Sequence, residues 1–309
     1  MPVMGVADLA GLAEEFEGHR PQLFAVAYRL TGSRHDAEDA VQEAWLRLSR
    51  LDASDRANVR DLRGWLITAV GRLGLDKLRS AASRRERYVG PWLPEPLVTY
   101  VEDDTDPLAA VVRDEGVRMA AVLVLERLTP DQRVAFVLHD AFGVPFAEIA
   151  DVLGCSTDAA RQHASRGRRA VAAADPTPRV SLSEQRDALE GFVAALATGD
   201  VDAVVALLHP DAVVVGDGGG RENTARRPVV GADKVARFLL GLQQRYGAAQ
   251  LAAMRPVLVN GDLGILFPAW AGDADHPPMA VRVTTFAIRD GRVAALYDIV
   301  NPEKLQLPV

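Results

Sequence analysis

The sequence contains a single cysteine, Cys155, among its 309 residues. An internal disulfide is therefore excluded, and so is a zinc site built from clustered cysteines. No segment approaches the roughly 20 apolar residues that a membrane-spanning helix needs. The N-terminus also lacks the basic segment and apolar run of a secretory signal. From these absences we expect a chain of the reducing cytoplasm that holds no metal and no cofactor.

An excess of positive charge is also missing, because 35 lysines and arginines stand against 42 aspartates and glutamates, for a net charge of −7. Such a balance argues against nucleic acid as a partner when it is taken alone. Basic residues are nevertheless concentrated in two segments. Residues 72–87 hold six basic and two acidic residues, and residues 156–174 hold four basic and one acidic. This pattern indicates two DNA-contacting patches on a protein that another protein holds at the DNA.

Apolar periodicity and helix breakers divide the chain into domains and linkers. Helical spacing predicts one all-α domain over residues 1–88 and a second over residues 113–174. Between them, residues 89–112 are rich in proline and acidic side chains, which predicts a linker. A second linker is predicted over residues 175–180. Residues 181–309 predict an α+β domain in which helices precede an antiparallel meander.

Within the predicted α+β domain, tight hairpin turns are expected at Asn260-Gly261 and Asp290-Gly291, because these pairs accept positive φ. His209-Pro210 is predicted to end a helix that covers residues 201–208. The predicted strands cover residues 213–215, 256–259, 263–268, 279–288 and 292–299.

The pattern from Pro145 to Val171 predicts a helix-turn-helix. Gly154 can end the first helix in the left-handed conformation, and Ser156 can cap the second. Small residues face inward on the second helix, while arginine and glutamine on its other face can bond phosphates and base edges. A helical hairpin with a merely solvated charged face is the alternative, and the coincidence of these features favours DNA binding. The candidate DNA contacts are Ser156, Thr157, Asp158, Arg161, Gln162, Ser165, Arg166, Arg168 and Arg169.

Three segments of the two helical domains resemble extracytoplasmic-function (ECF) sigma factors of RNA polymerase. Residues 36–46 (DAEDAVQEAWL) resemble the helix that binds the polymerase clamp. Residues 65–79 resemble the helix that meets the −10 promoter element. Residues 128–136 and 145–171 resemble the domain that reads the −35 element.

Three further motifs narrow this resemblance to the SigJ-like subgroup. They are Trp92–Pro96, Asp217–Gly220 and Asn301–Leu305. This subgroup fuses a SnoaL-like domain, of the nuclear-transport-factor type, to the sigma core. The resemblance implies two all-α sigma domains followed by an α+β cone with an antiparallel curved sheet.

The resemblance implies a transcription initiation factor, of a family typical of stress responses, that binds core RNA polymerase and promoter DNA and is not an enzyme. Polymerase binding is implied for Asp39, Gln42 and Glu43. Contact with the −10 element is implied for Arg72, Asp76, Lys77, Arg79, Arg84 and Arg85. Regulation through an intramolecular contact between the C-terminal domain and the sigma core is expected of Trp92, Pro94, Glu95, Asp217, Gly218, Gly219, Gly220, Asn301, Pro302 and Lys304.

Two other functions compete with this interpretation. One is a ligand-sensing helix-turn-helix regulator, which would need a dimer to read paired half-sites. The other is a SnoaL-like cyclase or isomerase with a fused helical domain. Its candidate acid–base groups are His209, Asp211, Asp217, Tyr246 and Asp298, and no pair of them has a spacing that compels a mechanism. Gly218–Gly220 could cradle a phosphate, but the lysine and serine or threonine of a nucleotide-binding loop do not follow.

Overall fold

The computed structural model describes residues 6–85, 88–100, 115–174, 177, 180–247, 249–305 and 307. For residues 6–10, 53, 57, 81–85 and 115 it describes the backbone alone. The chain forms two compact units. Unit 1 comprises Met1–Arg84 and Ala121–Pro176, and unit 2 comprises Arg85–Ala120 and Thr177–Val309. The acidic run predicted at residues 102–106 and most of the second predicted linker lie outside the described residues.

Unit 1 is helical. Its helices are α1 (Val6–Thr31), α2 (Arg34–Arg50), α3 (Ala53–Asn58), α4 (Leu62–Arg85), α5 (Met119–Leu125), α6 (Pro130–Phe136), α7 (Phe146–Leu153) and α8 (Thr157–Ala173). The chain passes from unit 2 to unit 1 within α5. A π-helical turn covers Val137–Ala141. Local capping signals set several of these ends. Ser33 accepts a hydrogen bond from the Asp36 amide at 3.1 Å and so begins α2. Thr129 and Gln132 form a capping box at the start of α6.

The apolar stripes predicted for the first helices form the core of unit 1. Leu23, Val41 and Leu66 are fully buried. Trp45 and Trp65 on α2 and α4 are half-buried at the margin of this core. The Trp45 ring packs on Phe16 with 5.1 Å between the ring centroids. Helix α3 was not predicted, because six residues are too few to show a helical period.

Unit 2 combines helices with a seven-stranded sheet of order β1-β4-β5-β6-β7-β2-β3. Its helices are α9 (Leu182–Thr198), α10 (Val201–Leu207), α11 (Ala232–Tyr246) and α12 (Ala249–Ala253). Its strands are β1 (Val98–Thr99), β2 (Leu208–Asp217), β3 (Val229–Val230), β4 (Arg255–Val259), β5 (Asp262–Phe267), β6 (Arg282–Arg289) and β7 (Arg292–Ile299). The hairpins at Asn260-Gly261 and Asp290-Gly291 form as predicted, with Asn260 at φ 56° and Asp290 at φ 52°.

The strand β2 is longer than predicted. The prediction that His209-Pro210 ends a helix at residue 208 is wrong, because α10 ends at Leu207 and β2 runs from Leu208 to Asp217. The pairing with β7 shifts between Leu208 and Val213, and this irregularity accommodates a proline in the strand. β2 and β7 are parallel, while the other pairs of the sheet are antiparallel. The sheet of the α+β fold is therefore mixed.

The segment predicted as a linker contributes a strand to unit 2. Val98 and Thr99 form β1, which pairs with Val259 and Leu258 of β4 at the edge of the sheet. Nothing in the proline-rich composition of residues 89–112 indicates this strand, because its pairing depends on a partner about 160 residues away. The covered edge places residues 88–100 against the α+β fold.

Candidate functional site

The helix-turn-helix forms as predicted. Gly154 ends α7 with a left-handed φ of 67°, and the Ser156 hydroxyl accepts a hydrogen bond from the Ala159 amide at 3.2 Å to begin α8. Ala160, Ala164 and Gly167 are buried. The small inward face thus packs against the unit, and the opposite face of α8 is left to solvent.

The candidate −35 contacts occupy this outer face. Exposed residues on it are Ser156, Asp158, Arg161, Gln162, Ser165, Arg166, Arg168 and Arg169, and Thr157 is half-buried. Arg161 pairs with Asp158 at 2.8 Å, and Arg168 pairs with Asp140 at 3.1 Å. Such exposed pairs contribute about 0–1 kcal/mol, so both arginines can exchange their carboxylate for a phosphate at low cost.

The candidate −10 residues on α4 are partly engaged within unit 1. The Lys77 ammonium donates to Asp36 at 2.7 Å and to Asp39 at 3.1 Å. Partial burial lowers the pKa of Lys77, but these two hydrogen bonds outweigh it and raise the pKa above its ordinary value. Arg79 pairs with Asp131 of α6 at 3.2 Å. The α4 residues therefore contact both the start of α2 and the second helical domain.

Three of the remaining candidates in this region, two on α4 and one on α2, are exposed. Arg72 and Asp76 are exposed, and the side chains of Arg84 and Arg85 lie outside the described part of the chain. On α2, Gln42 is exposed, and Glu43 bonds Arg47 at 3.1 Å. The structure thus brings the predicted polymerase residue Asp39 to Lys77, and it leaves Gln42 facing solvent.

Asp217 forms the centre of a buried hydrogen-bond network in unit 2, which we call the Asp217 network. Its carboxylate is fully buried and accepts hydrogen bonds from the Leu93 amide at 2.8 Å, the Lys304 ammonium at 2.7 Å and the Tyr88 hydroxyl. The Gly219 amide donates to the same carboxylate at 3.1 Å. These four donors satisfy the hydrogen-bonding capacity of a carboxylate that has no access to water.

Lys304 connects the C-terminal tail to the 88–100 segment within the Asp217 network. It is 7% exposed, and its ammonium lies 4.1 Å from the Trp92 ring centroid and 4.9 Å from that of Tyr88. It also donates to the Leu93 carbonyl. Asn301 donates to the Tyr88 hydroxyl at 2.8 Å. The two aromatic rings and the carboxylate compensate the desolvated charge.

The glycines of the Asp217–Gly220 loop allow this close packing. Gly219 and Gly220 have φ of +59° and +73°. A Cβ at Gly219 would lie 2.5 Å from the Asn301 amide nitrogen, and one at Gly220 would lie 2.9 Å from the Val89 Cβ. The loop thus serves backbone packing against the 88–100 segment, and not the phosphate cradle considered from the sequence.

The other predicted regulatory residues surround the Asp217 network. Pro94 is buried, Glu95 is half-buried, and Pro302 is exposed. Arg221 and Glu303 form a 2.5 Å ion pair between the same loop and tail, with both side chains more than half exposed. This exposed pair joins the same two segments as the buried Asp217–Lys304 pair. A variant that breaks the exposed pair can therefore serve as the control for a variant that breaks the buried one.

A second polar cluster in unit 2 was not predicted. Arg118 pairs with Asp262 at 2.8 Å, and both side chains are buried. Gln185 donates to Asp262 at 3.0 Å, while Asn260 bonds the Leu97 amide at 3.0 Å and the Val117 carbonyl. The sequence predicts Asn260 only as a turn residue. Its contacts with Leu97 and Val117 are indicated in the sequence only by its position, as a polar residue at the end of an apolar strand.

The candidate acid–base groups do not converge on one site. Asp217 lies in the network above. His209, which is half-buried near the start of β2, accepts a hydrogen bond from the Asp211 amide at 3.2 Å. Tyr246 and Asp298 line one cavity between the sheet and the helices of unit 2. In this cavity Asp298 already accepts bonds from Thr224 at 2.6 Å and Thr284 at 3.1 Å.

Substituting Gly219 by alanine is expected to destabilise unit 2 by about 2 kcal/mol, because positive φ strains a non-glycine residue and the new Cβ would displace Asn301. The matched control is Gly241→Ala on α11, where a Cβ meets nothing within 4 Å. That change should stabilise the helix by about 0.5–1 kcal/mol. Hydrogen exchange of the β2 and β7 amides measures both effects, and equal protection in the two variants would contradict the packing role of the loop.

The stability of unit 2 is expected to fall at alkaline pH in a way that depends on Tyr88. Burial and the hydrogen bond to Asp217 raise the pKa of Tyr88 above its ordinary value of 10.0. The folded chain therefore holds this proton after the unfolded chain has lost it. The stabilising contribution is complete below pH 10.0 and is lost as the pH rises further. Tyr88→Phe should flatten the pH dependence of unfolding in this range, and an unchanged slope would contradict the assignment.

No helix in the described ranges has the length and apolar character needed to cross a bilayer. Within those same ranges, no group of three or more histidine, cysteine, aspartate or glutamate side chains is arranged to hold a metal ion.

Three families match successive parts of the chain. Sigma-70 region 2 matches residues 16–84, Sigma-70 region 4 matches residues 118–171, and the SnoaL-like domain matches residues 189–296. The helices α4 and α8 thus fall almost entirely within the sigma regions, and the cavity and most of the sheet fall within the SnoaL-like match.

Full-length relatives agree with this assignment. The ECF RNA polymerase sigma factor SigJ of Mycobacterium tuberculosis is 55% identical over 94% of this chain and 92% of its own length. The probable ECF sigma factor SigI of the same species is 33% identical over 94% of this chain and 93% of its own. The crystal structure of M. tuberculosis SigJ superposes with a TM-score of 0.80 and 53% identity, covering 94% of this chain and 97% of that one.

These relatives are initiation factors and not enzymes, in agreement with the prediction for this chain. The comparisons therefore favour a sigma factor over the ligand-sensing regulator and over the cyclase or isomerase considered from the sequence. Factors of this kind bind core RNA polymerase and promoter DNA. The α+β fold predicted for the C-terminal part is likewise confirmed. The chain therefore belongs to the ECF family of RNA polymerase sigma factors, as a SigJ-like transcription initiation factor with a C-terminal SnoaL-like domain.

Proposed function

We propose that this sigma factor contacts the polymerase through α2, the −10 element through α4 and the −35 element through α8. We further propose that its SnoaL-like domain regulates initiation through the Asp217 network. The observation that carries the regulatory part is the buried Asp217–Lys304 pair, which holds the 88–100 segment through Leu93 and Tyr88.

The assignment of α8 to promoter reading is supported by its exposed cationic face. Arg161, Gln162 and Arg166 lie on one exposed side of a capped helix whose other side is buried. Arginine and glutamine make paired hydrogen bonds to guanine and adenine in the major groove. Arg168 and Arg169 lie further along α8, where they suit phosphate contacts.

The contacts of α4 suggest how the −10 element is engaged. Lys77 and Arg79 are held by Asp36, Asp39 and Asp131. DNA phosphates would compete with these carboxylates for the two cations. Because the pairs are partly exposed, each contributes about 0–1 kcal/mol, which is a small barrier to exchange. Release of Asp39 would at the same time free a residue proposed to contact the polymerase.

The proposed regulatory contact is supported by the burial and charge of the Asp217 network. Removing one partner of a buried ion pair strongly destabilises the fold, so opening this contact would require Asp217 and Lys304 to separate and regain solvent together. The 88–100 segment lies between the two sigma regions in the chain. Holding or releasing this segment would alter how freely the two regions take up their promoter positions.

The promoter assignment is tested by Arg161→Ala combined with Arg166→Ala, with purified core RNA polymerase and the DNA upstream of the gene of this protein. Loss of each base-specific contact costs about 1–3 kcal/mol, so with both arginines replaced we expect promoter affinity of the holoenzyme to fall by at least about tenfold. Binding to core polymerase should not change, because neither residue lies on α2.

The control for this experiment is Arg127→Ala, which removes an exposed arginine elsewhere in unit 1. It should leave promoter affinity within about twofold, since a single distant surface charge has little effect. If the double variant retained both the affinity and the sequence preference of the unaltered protein, α8 would not be the reading helix.

The regulatory proposal is tested by Lys304→Met, with Arg221→Ala as the control on the same loop and tail. Breaking the Asp217 network is expected to change the transcript yield per holoenzyme by about fivefold or more, the usual range of coupling between sites. The control breaks only the exposed Arg221–Glu303 pair and should leave the yield unchanged. Equal yields from Lys304→Met and the unaltered protein would exclude regulation through this contact.

A further inference from the structure

A short segment of the SnoaL-like domain concentrates positive charge that the rest of the domain lacks. Residues 221–237 hold five basic and two acidic residues, whereas the remainder of residues 177–309 holds eight basic and thirteen acidic residues. Within this segment Arg226 and Arg227 are adjacent and exposed. In the described ranges, neither arginine has a hydrogen bond, an ion pair or a ring contact. Both guanidinium groups are thus available to an anion.

The neighbouring charges do not neutralise these two arginines. Asp233 pairs with Arg237 one turn later on α11 at 3.0 Å. Arg221 at the start of the segment pairs with Glu303 of the tail. Glu222 is exposed and forms no ion pair with the described residues. Because like charges on adjacent residues repel each other, binding of an anion would relieve this repulsion.

The backbone on both sides of the two arginines is fixed by contacts within unit 2. The Thr224 hydroxyl donates to Asp298 at 2.6 Å, and Arg282 donates to the Asn223 carbonyl at 3.4 Å. Ala225 is buried. On the other side, β3 begins two residues after Arg227 and pairs with β2. Only the two side chains therefore need to be ordered when an anion binds, which lowers the entropy cost of binding.

The basic loop adjoins the segment that continues from α4 in the chain. It follows Gly220 directly, and a Cβ at Gly220 would lie 2.9 Å from the Val89 Cβ. Val89 is four positions after Arg85, the last residue of α4. The contact of α4 with the −10 element is itself a proposal. On that basis, DNA that α4 engages lies close along the chain to Arg226 and Arg227.

We propose that Arg226 and Arg227 bind phosphates of the promoter DNA, next to the part that α4 engages. A DNA backbone carries one negative charge for about every 1.7 Å of duplex, and each planar guanidinium can hold two phosphate oxygens. Such contacts position a protein on DNA and do not read its sequence. The SnoaL-like domain thus supplies a third basic patch, beside those of α4 and α8.

The test is the double variant Arg226→Ala with Arg227→Ala in the full chain, bound to core RNA polymerase and the DNA upstream of its gene. Each phosphate contact contributes about 0.9 to the slope of log affinity against log salt concentration. We expect the slope to become shallower by about 1–2, and promoter affinity at about 0.1 M salt to fall tenfold or more. Sequence preference should not change, since no base contact is lost.

Two further variants separate a phosphate contact from other effects of the substitution. Arg226→Lys with Arg227→Lys keeps both charges and should keep most of the salt dependence. Arg186→Ala with Arg292→Ala removes the same charge from exposed positions on α9 and β7. Arg292 begins β7, whose far end, at Ile299, pairs with Asp217. This control should leave the slope unchanged.

An unchanged slope in the Arg226→Ala with Arg227→Ala variant would overturn the proposal, as would an equal change in the Arg186 and Arg292 control. Weaker binding to core polymerase with an unchanged slope would assign the two arginines to a protein partner instead. Arg72→Ala on α4 serves as the arm for the −10 contact in the same assay. If Arg72→Ala lowers the slope and the loop variant does not, only the present proposal fails.

Discussion

Replacing Asp217 by asparagine is expected to destabilise unit 2 by about 3–5 kcal/mol, because it leaves the Lys304 ammonium buried without its counter-charge. Lys304 is 7% exposed and cannot reach solvent without moving the tail away from Trp92. The result would be faster hydrogen exchange at the Leu93 amide, which donates to Asp217. Urea unfolding measures the loss of stability, and hydrogen exchange measured for each segment assigns this loss to unit 2.

The reference for this prediction is the exposed ion pair between the same two segments. Arg221→Ala should cost less than about 1 kcal/mol, since both partners of that pair are largely in solvent. The double variant Asp217→Asn with Lys304→Met should cost clearly less than the sum of the two single variants, because no charge is then left unpaired. Strict additivity would show that the two groups do not interact.

Replacing Arg133 by methionine should destabilise unit 1 to a similar extent, about 3–5 kcal/mol. Arg133 is 1% exposed, donates to the Arg29 carbonyl at 2.8 Å and pairs with Glu126. The Arg29 carbonyl belongs to the last turn of α1, where helix carbonyls have no partner within the helix. Arg133 thus joins the Sigma-70 region 4 helix α6 to the end of a region 2 helix.

Two substitutions calibrate this prediction. Arg133→Lys keeps the charge but loses the planar fork that reaches two acceptors, so an intermediate loss of stability is expected. Arg127→Met removes an exposed arginine and should change the free energy of unfolding by no more than about 0.5 kcal/mol. Urea unfolding, combined with hydrogen exchange of the α1 and α6 amides, measures the stability of all three variants. An Arg133→Met variant as stable as Arg127→Met would exclude a structural role for this buried guanidinium.

Much of the fold was predictable because its signals are local. The caps at Ser33, Thr129 and Ser156, the left-handed Gly154 and the Asn260-Gly261 hairpin each depend on a few neighbouring residues. Helical periodicity likewise reports one buried face without reference to a partner. The order of sigma motifs then indicated the family, which the comparisons confirm.

Errors arose where a distant partner decides the local structure. Leu208–Val213 becomes a strand because β7 lies beside it, although His209-Pro210 reads as a helix stop. Val98–Thr99 becomes a strand because β4 offers a free edge. The mixed sheet has the same origin, since the direction of β2 relative to β7 follows from the connections between them and not from either sequence.

By itself, the sequence determined which segments form the sigma helices and which arginines lie on the second helix of the helix-turn-helix. The motifs Asp217–Gly220 and Asn301–Leu305 were singled out by the family resemblance, and their regulatory role stays a proposal. Only the tertiary structure decided that Asp217 and Lys304 form a buried pair and that Tyr246 and Asp298 line one cavity. Burial and hydrogen bonding between residues up to about 200 positions apart depend on the packing of the whole unit, and no local pattern encodes them.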